Sequence, residues 1–379
     1  MNFLFFSAQY LPTVGGVERY THNLCKTLTS LGHNATIVTS GLNNLPLEEY
    51  EGLVKIVRLP SYLLLNGRFP ILKKNKEFKS LVTKVFNVSY DMAIINTRFY
   101  HLSVYAARVC SRKGIPTIVI EHGSAHLSLG SRFINNFVQL YEHIAIRQVK
   151  RYCSDFYGVS QSCLAWLEHF GVKGKGIIYN AIDVEEVNKV AMSSTLDVRE
   201  QFNLKDKVSA VFSGRFLKEK GIYELLDAFR ELENVVLVMA GDGPLYSEVL
   251  DTKPDNVYLT GQLSYSDSLA LLKQADIFIL PTYSEGFSTV TLEAAAFGLC
   301  IITTPTGGSP ELIETMKSGI LLENISKDSI VKSLEYVLKN EGFRNSSGES
   351  VKNTVKEKFS WISSAEKVVE ISKEFLDKR

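Results

Sequence analysis

Two glutamates and two cations carry most of the chemistry this sequence could do. Glu285 and Glu293 flank Gly286-Phe287-Ser288-Thr289-Val290-Thr291-Leu292, directly after an apolar run, Ile277–Leu280. Paired carboxylates can act as acid and base on a glycosidic bond. They can equally accept hydrogen bonds from sugar or ribose hydroxyls. A carboxylate near a helix start is also simply stabilising, a reading that stays open for Glu293. The backbone N–H groups of Phe287, Ser288 and Thr289 lie where that helix begins. Arg215 follows Gly214 at the end of another apolar run, and Lys220-Gly221 comes five residues on. Arginine offers a planar fork for phosphate oxygens and lysine a mobile point charge, so the two could hold a diphosphate. Lys218 and Glu219 share the loop, which fits a solvated surface as well.

Weaker constellations accompany these. Gly15-Gly16-Val17-Glu18 opens a helix, whose free N–H groups and dipole suit a phosphate. It is neither GxGxxG nor a Walker loop, and a tight turn explains it too. Gly241-Asp242-Gly243-Pro244 and Gly307-Gly308-Ser309-Pro310-Glu311 are further glycine turns that admit a ligand or merely reverse the chain. In the second of these roles, Asp242 would cap the next helix. His122 sits between Glu121 and Gly123, where it could line a cleft or pack.

All these residues follow strands. Phe3–Ser7 reads as a buried strand, followed by an amphipathic helix over Val17–Leu31 that Gly32 ends. Asn34–Thr39, Val54–Leu59, Met92–Asn96 and Thr117–Glu121 continue the series, with helical stretches such as Ser103–Lys113 between them. The pattern restarts at Ser209–Ser213 and runs through Val235–Ala240, Val257–Thr260, Ile277–Leu280 and Leu299–Thr303. Such alternation predicts an α/β chain of two doubly wound, Rossmann-like domains with parallel sheets. The divisions fall at 1–185, 186–360 and a last segment 361–379. That last segment is helical from Trp361 to Lys378, with Ile362, Ala365, Val368, Val369 and Phe375 as its apolar stripe. In doubly wound sheets ligands bind beyond the carboxyl ends of the strands, where the residues above lie.

The bulk composition agrees. At 379 residues, 45% hydrophobic and 22% charged, the chain fits a soluble protein of two domains. No apolar run approaches the roughly 18–20 residues that span a bilayer. The apolar start lacks a basic leader and reads as a strand. Five scattered cysteines show no metal-binding spacing and suit buried free thiols in a cytoplasmic protein. Residues 1–180 hold 20 Lys and Arg against 10 Asp and Glu, and residues 181–379 hold 22 against 31. A basic half suits an anionic partner, unless it serves the acidic half. Phe69–Lys79, Ser131-Arg132-Phe133, Phe137, Arg147, Lys150 and Arg151 mix basic and apolar residues, as a peripheral membrane surface or as ordinary helix faces. No nucleic-acid-reading module is present.

Taken in order, Pro12-x-x-Gly15-Gly16-Val17-Glu18, Glu121-His122-Gly123, Gly158-Val159-Ser160, Asn180-Ala181-Ile182-Asp183, Gly214-Arg215, Lys220-Gly221, Gly241-Asp242-Gly243-Pro244, Glu285-x7-Glu293 and Gly307-Gly308 resemble the GT-B-fold retaining glycosyltransferases of family 4, or glycosyl transferases group 1. The resemblance runs through nearly the whole chain. It implies two Rossmann-like domains facing across a cleft, with the last helix crossing back onto the first. Gly16 would then give its N–H to a donor diphosphate that Arg215 and Lys220 clamp. Glu285 and the N–H groups near Phe287 would hold the transferred sugar, and His122 would face it. Glu293 would bind the ribose, with the base near Gly241 and around Gln262-Leu263. Three positions depart from the family pattern: Ser288 where Gly is usual, Cys300 where Pro is usual, and Ala181 where Gly is frequent.

The expected reaction moves a hexose or N-acetylhexosamine from a nucleotide diphosphate sugar, UDP by family frequency, to an acceptor hydroxyl with retention. The family route lets a diphosphate oxygen take the acceptor proton, which makes Glu285 a positioning group. No Asp-x-Asp pair follows the strands, so neither metal nor cofactor is expected. The expected acceptor is a lipid-linked saccharide of bacterial surface polysaccharide, met on the inner face of the cell membrane. A soluble-acceptor transferase, a nucleotide-sugar 2-epimerase and a non-catalytic nucleotide-sugar-binding protein are the alternatives.

Overall fold

Runs such as Phe3-Leu4-Phe5-Phe6 and Val235-Val236-Leu237-Val238-Met239-Ala240 are apolar on both strand faces, so they need cover on both sides of a sheet. The computed structural model provides that cover with helices. It describes every residue except 14, 43–44, 65–66, 68, 128–131, 205–206 and 378–379, and leaves out the side chains of 132–134. Ser131, the side chains of Arg132 and Phe133, and Lys378 therefore lie outside the described residues.

The chain divides into two units, Met1–Asn180 with Trp361–Arg379, and Ala181–Ser360. The first contains β1 (Asn2–Ser7), α1 (Gly16–Ser30), β2 (Asn34–Ser40), β3 (Glu48–Glu51), β4 (Val54–Leu59), β5 (Ser61–Leu64), β6 (Phe69–Leu72), α2 (Lys76–Val85), β7 (Met92–Asn96), α3 (His101–Arg112), β8 (Thr117–Glu121), α4 (Arg132–Val149), β9 (Asp155–Gly158), α5 (Gln161–Glu168) and β10 (Gly176–Ile177). The second contains α6 (Val184–Met192), α7 (Val198–Gln201), β11 (Val208–Ser213), α8 (Ile222–Phe229), β12 (Val235–Ala240), α9 (Tyr246–Thr252), β13 (Val257–Gly261), α10 (Tyr265–Lys273), β14 (Ile277–Leu280), α11 (Thr289–Phe297), β15 (Cys300–Thr303), α12 (Ser309–Leu312), β16 (Ile320–Leu321), α13 (Lys327–Lys339) and α14 (Glu341–Lys358). α15 (Trp361–Asp377) returns to the first unit.

The first sheet has the order β10-β9-β8-β7-β1-β2-β4-β3, parallel except for β3 on β4. The second is β13-β12-β11-β14-β15-β16, parallel throughout. In each, the chain winds outward one way and then the other. The reversals lie between β1 and β7 and between β11 and β14, and such switch points open the crevices in which ligands bind. The β5–β6 hairpin is a separate piece of the first unit. All five cysteines are buried and free. Among the described residues no helix is long and apolar enough to cross a membrane.

α15 buries Trp361, Ser364, Ala365, Val368, Ile371 and Ser372, while Ile362 turns outward. The apolar stripe expected through Ile362 is thus displaced. Serines pack inward because they allow close approach, and the Ser364 hydroxyl donates to the Tyr179 carbonyl at 2.9 Å. The Trp361 ring meets Tyr20 of α1 edge-on.

Candidate functional site

In the second unit the loops after β11, β12 and β14 are locked together by backbone. Gly214 N–H donates to the Ala240 carbonyl at 3.0 Å, Phe216 N–H to Asp242 at 3.0 Å, and Gly241 N–H to Gly261 at 2.9 Å. Gly241 has φ +134°, and a Cβ there would overlap the Gly214 carbonyl oxygen. Gly221, φ +65°, lies against the Pro281 carbonyl in the same way. No other residue type fits these approaches. Tyr283 N–H and the Thr282 hydroxyl both donate to the Glu219 carbonyl, at 2.8 and 3.1 Å. Asp242 accepts from Gly243 N–H at 2.7 Å and so ties its own turn; the helix cap of α9 is Leu245.

This frame brings Gly214, Arg215, Lys220 and Glu285 to the switch point. Lys220 Nζ pairs with the Glu285 carboxylate across the two loops, both side chains being mostly covered. Arg215 is exposed on the same loop after β11 as Lys220. Phe287 is buried between the Gly308 backbone and the Phe359 ring, 5.1 Å away. Ser288 caps α11 by accepting from Thr291 N–H at 3.3 Å. Its φ of −64° is open to any residue, which accounts for serine in a position where glycine is usual. Thr289 opens α11, and Glu293 is buried in its second turn. That is beyond the reach of the terminal dipole, so the purely stabilising reading of Glu293 loses its physical basis. Half-buried Leu263 and exposed Gln262 follow β13. Cys300 N–H donates to the Asp276 carbonyl, a bond a proline there would forgo.

In the first unit, Gly15 and Gly16 start α1, and the Glu18 carboxylate folds back over Gly15. Burial raises the Glu18 pKa, and its own backbone N–H opposes that rise. The Glu18 carboxylate therefore lies over the helix start. His122, after β8, stacks edge-on against Tyr20 at 4.6 Å. Its Nε2 lies 3.0 Å from Asn96 Oδ1, while Asn96 Nδ2 donates to the Thr21 hydroxyl at 2.7 Å. That hydroxyl in turn donates to the Val17 carbonyl at 2.8 Å. The chain of donors fixes the Asn96 amide, so His122 Nε2 carries the proton and Nδ1 keeps its lone pair.

Burial pushes the His122 pKa from 6.5 down to about 3. Between these values the unfolded chain holds a proton that the folded one does not, so acidification through this window destabilises the fold. The slope from this one group is at most about 1.4 kcal/mol per pH unit. Urea midpoints measured from pH 7 to pH 4 should fall, and His122→Asn should flatten the fall.

Asn96, Arg98 and Glu142 had no mark in the sequence. Thr97 takes φ +62°, an unusual conformation for a β-branched residue, at the β1/β7 switch point. Next to it Arg98 is fully buried, with Nη1 2.6 Å from Glu121 and Nη2 2.7 Å from Glu142, both carboxylates also fully buried. Its guanidinium lies 4.2 Å from the Phe170 ring centroid. Glu121 also accepts from Gly123 N–H at 3.0 Å, which shapes the loop carrying His122.

Comparison with known proteins places this frame. Residues 14–186 match the family described as Glycosyltransferase Family 4, and residues 194–354 the one described as Glycosyl transferases group 1. An uncharacterized glycosyltransferase of Methanocaldococcus jannaschii is 26% identical over 97% of this chain and 97% of its own. The capsular polysaccharide biosynthesis glycosyltransferase CapM of Staphylococcus aureus is 28% identical over 41% of this chain and 43% of its own. The Anabaena protein HepE, solved in complex with UDP-glucose, superimposes with a TM-score of 0.73 at 16% identity, covering 99% of this chain and 100% of its own. The two family matches fill the two units in order over a pair of doubly wound sheets, and the chain belongs to the GT-B glycosyltransferases of family 4.

Proposed function

We propose that this glycosyltransferase moves a hexose or N-acetylhexosamine from a UDP-sugar to a hydroxyl of a lipid-linked saccharide, with retention, in surface polysaccharide assembly. The observation that carries the donor half is the Lys220–Glu285 pair at the β11/β14 switch point, on the loop that also exposes Arg215. As the glycosidic bond breaks, negative charge grows on the leaving diphosphate. Arg215 and Lys220 meet that charge, and their help is greatest in the transition state. Glu285 positions sugar hydroxyls, and a diphosphate oxygen takes the acceptor proton. Glu293 takes the ribose hydroxyls, with the base near Gly241 and Leu263. In the first unit, the Gly16 N–H is the proposed donor to a phosphate and His122 Nδ1 the proposed acceptor from a sugar hydroxyl. HepE, solved with UDP-glucose, supports the choice of base.

With two cations in place, the chemistry needs no metal. A panel of nucleotide sugars in thermal shift should single out UDP-sugars, because a bound donor stabilises the fold by mass action. Transfer from that donor should keep most of its rate in excess chelator. A total loss restored by Mn²⁺ would reject the cation clamp.

The acceptor half is supported by α4. Phe137, Leu140 and Ile144 share one face of the helix and are 72%, 59% and 49% exposed. Exposed Arg147 and Arg151 follow them, in a unit whose formal charge is +10 from 24 Lys and Arg against 14 Asp and Glu. This pattern suits an anionic membrane surface. The Phe69–Lys79 segment contributes less. Leu72 and Phe78 are buried in the core and Phe69 packs on Tyr141, which leaves its lysines and Glu77 outside. Lys150 is engaged by the Phe170 and Gly171 carbonyls. CapM, by its name a capsular polysaccharide enzyme, supports the biosynthetic setting. Leu140→Glu with Ile144→Glu should lower binding to phosphatidylglycerol vesicles about tenfold or more, and leave donor-stimulated thermal shifts unchanged. Wild-type binding indifferent to salt would speak against the basic component.

A further inference from the structure

Three histidines converge in the first unit. His126 lies on the segment after β8, His143 on α4, and His169 at the C-terminal cap of α5. One ring nitrogen from each falls within 4.8 Å of the others. His143 and His169 are exposed, and His126 is partly covered. His126 Nδ1 lies 2.9 Å from Glu142 Oε2. Glu142 Oε1 accepts from Leu127 N–H at 3.0 Å, and Oε2 also accepts from Arg98. The carboxylate thus holds the His126 ring, keeps the proton on Nδ1 and leaves Nε2 for another partner. A histidine backed by a carboxylate in this way is the common arrangement of an imidazole metal ligand.

We propose that His126, His143 and His169 bind one zinc ion, with Glu142 orienting His126 and the fourth position open to water. Imidazole nitrogens at about 2.0–2.1 Å from tetrahedral zinc lie roughly 3.3 Å apart. The exposed rings of His143 and His169 reach that spacing by side-chain rotation. Charge favours it: buried Arg98 faces two buried carboxylates, Glu121 and Glu142, which leaves one negative charge beneath the histidines. The competing description is an aromatic cluster, since His169 stacks on Trp166 at 4.9 Å and His143 packs on Phe170. The ion would fasten the segment Ser124–Leu127, and with it the loop carrying His122, to α4 and α5. The three histidines belong to the first unit, and Arg215 and Lys220 to the second.

The test uses the full chain without a histidine tag, stripped with chelator and dialysed. Zinc titrated by calorimetry should bind at one ion per chain with a Kd below micromolar, and raise Tm. Cobalt in its place should give the strong visible bands of a tetrahedral site. His143→Ala and His169→Ala should each weaken zinc binding by about 100-fold or more while the zinc-free variants keep the wild-type Tm. Absent binding at micromolar zinc, an octahedral cobalt spectrum, or an affinity unchanged in both variants overturns the site. None of these outcomes depends on the donor or acceptor.

Discussion

Lys220→Ala lowers kcat by about 10²–10³-fold with a smaller change in KM, the expected size for losing one preorganised group that faces charge formed in the transition state. The prediction rests on the proposed clamp and is checked by steady-state kinetics with the donor that thermal shift selects. Because Lys220 and Glu285 pair directly, Lys220→Ala with Glu285→Gln should cost less than the two single losses multiplied. Lys218 provides the control: it is exposed on the same loop. An equal fall in Lys218→Ala would make the loop a solvated surface with a diffuse charge effect, and would remove Lys220 from the chemistry.

The second large effect is on stability. Arg98→Met should destabilise the fold by about 3–5 kcal/mol in urea unfolding at neutral pH, because it strands two fully buried carboxylates. Adding Glu121→Gln and Glu142→Gln to Arg98→Met should recover a large part of the loss, since the amides can be buried uncharged. A single-variant cost under about 1 kcal/mol would mean that water reaches the carboxylates when the arginine is gone. Zinc affinity offers a second readout, since Glu142 would lose the partner that fixes it under His126.

The strands were legible because their apolar runs are short and continuous, and several, such as β4, β11, β12 and β14, stop at a glycine or proline. The site residues were legible for the same reason: they are what comes next after β1, β8, β11, β12 and β14. The rest has no local signature. β3 is Glu-Glu-Tyr-Glu and the β5–β6 hairpin is short, so neither carries a pattern of its own. Arg98, Glu121 and Glu142 are far apart in sequence, and only the parallel order β7-β8 with α4 alongside joins them. His126, His143 and His169 stand 17 and 26 residues apart, unlike any short metal motif. Ile362 was misplaced because hydrophobicity alone cannot say that a helix will bury Ser364 and Ser372 for close packing. Ser288 and Cys300 depart from the family pattern, yet one supplies a cap and the other a backbone donor, properties that depend on φ and on the N–H rather than on side-chain type.

The interlocked loops of the second unit limit how this enzyme can be retooled. Gly241, Gly221 and Gly307 have no side chain to vary, and backbone atoms of neighbouring loops fill the space where one would stand. Lengthening the loop after β11 would break its backbone hydrogen bonds to the loops after β12 and β14. A new donor preference has to be written instead in side chains hung from the fixed frame. On the proposed donor site, Gln262 and Leu263 are the positions where a small combinatorial library would change the ligand without unmaking the mould.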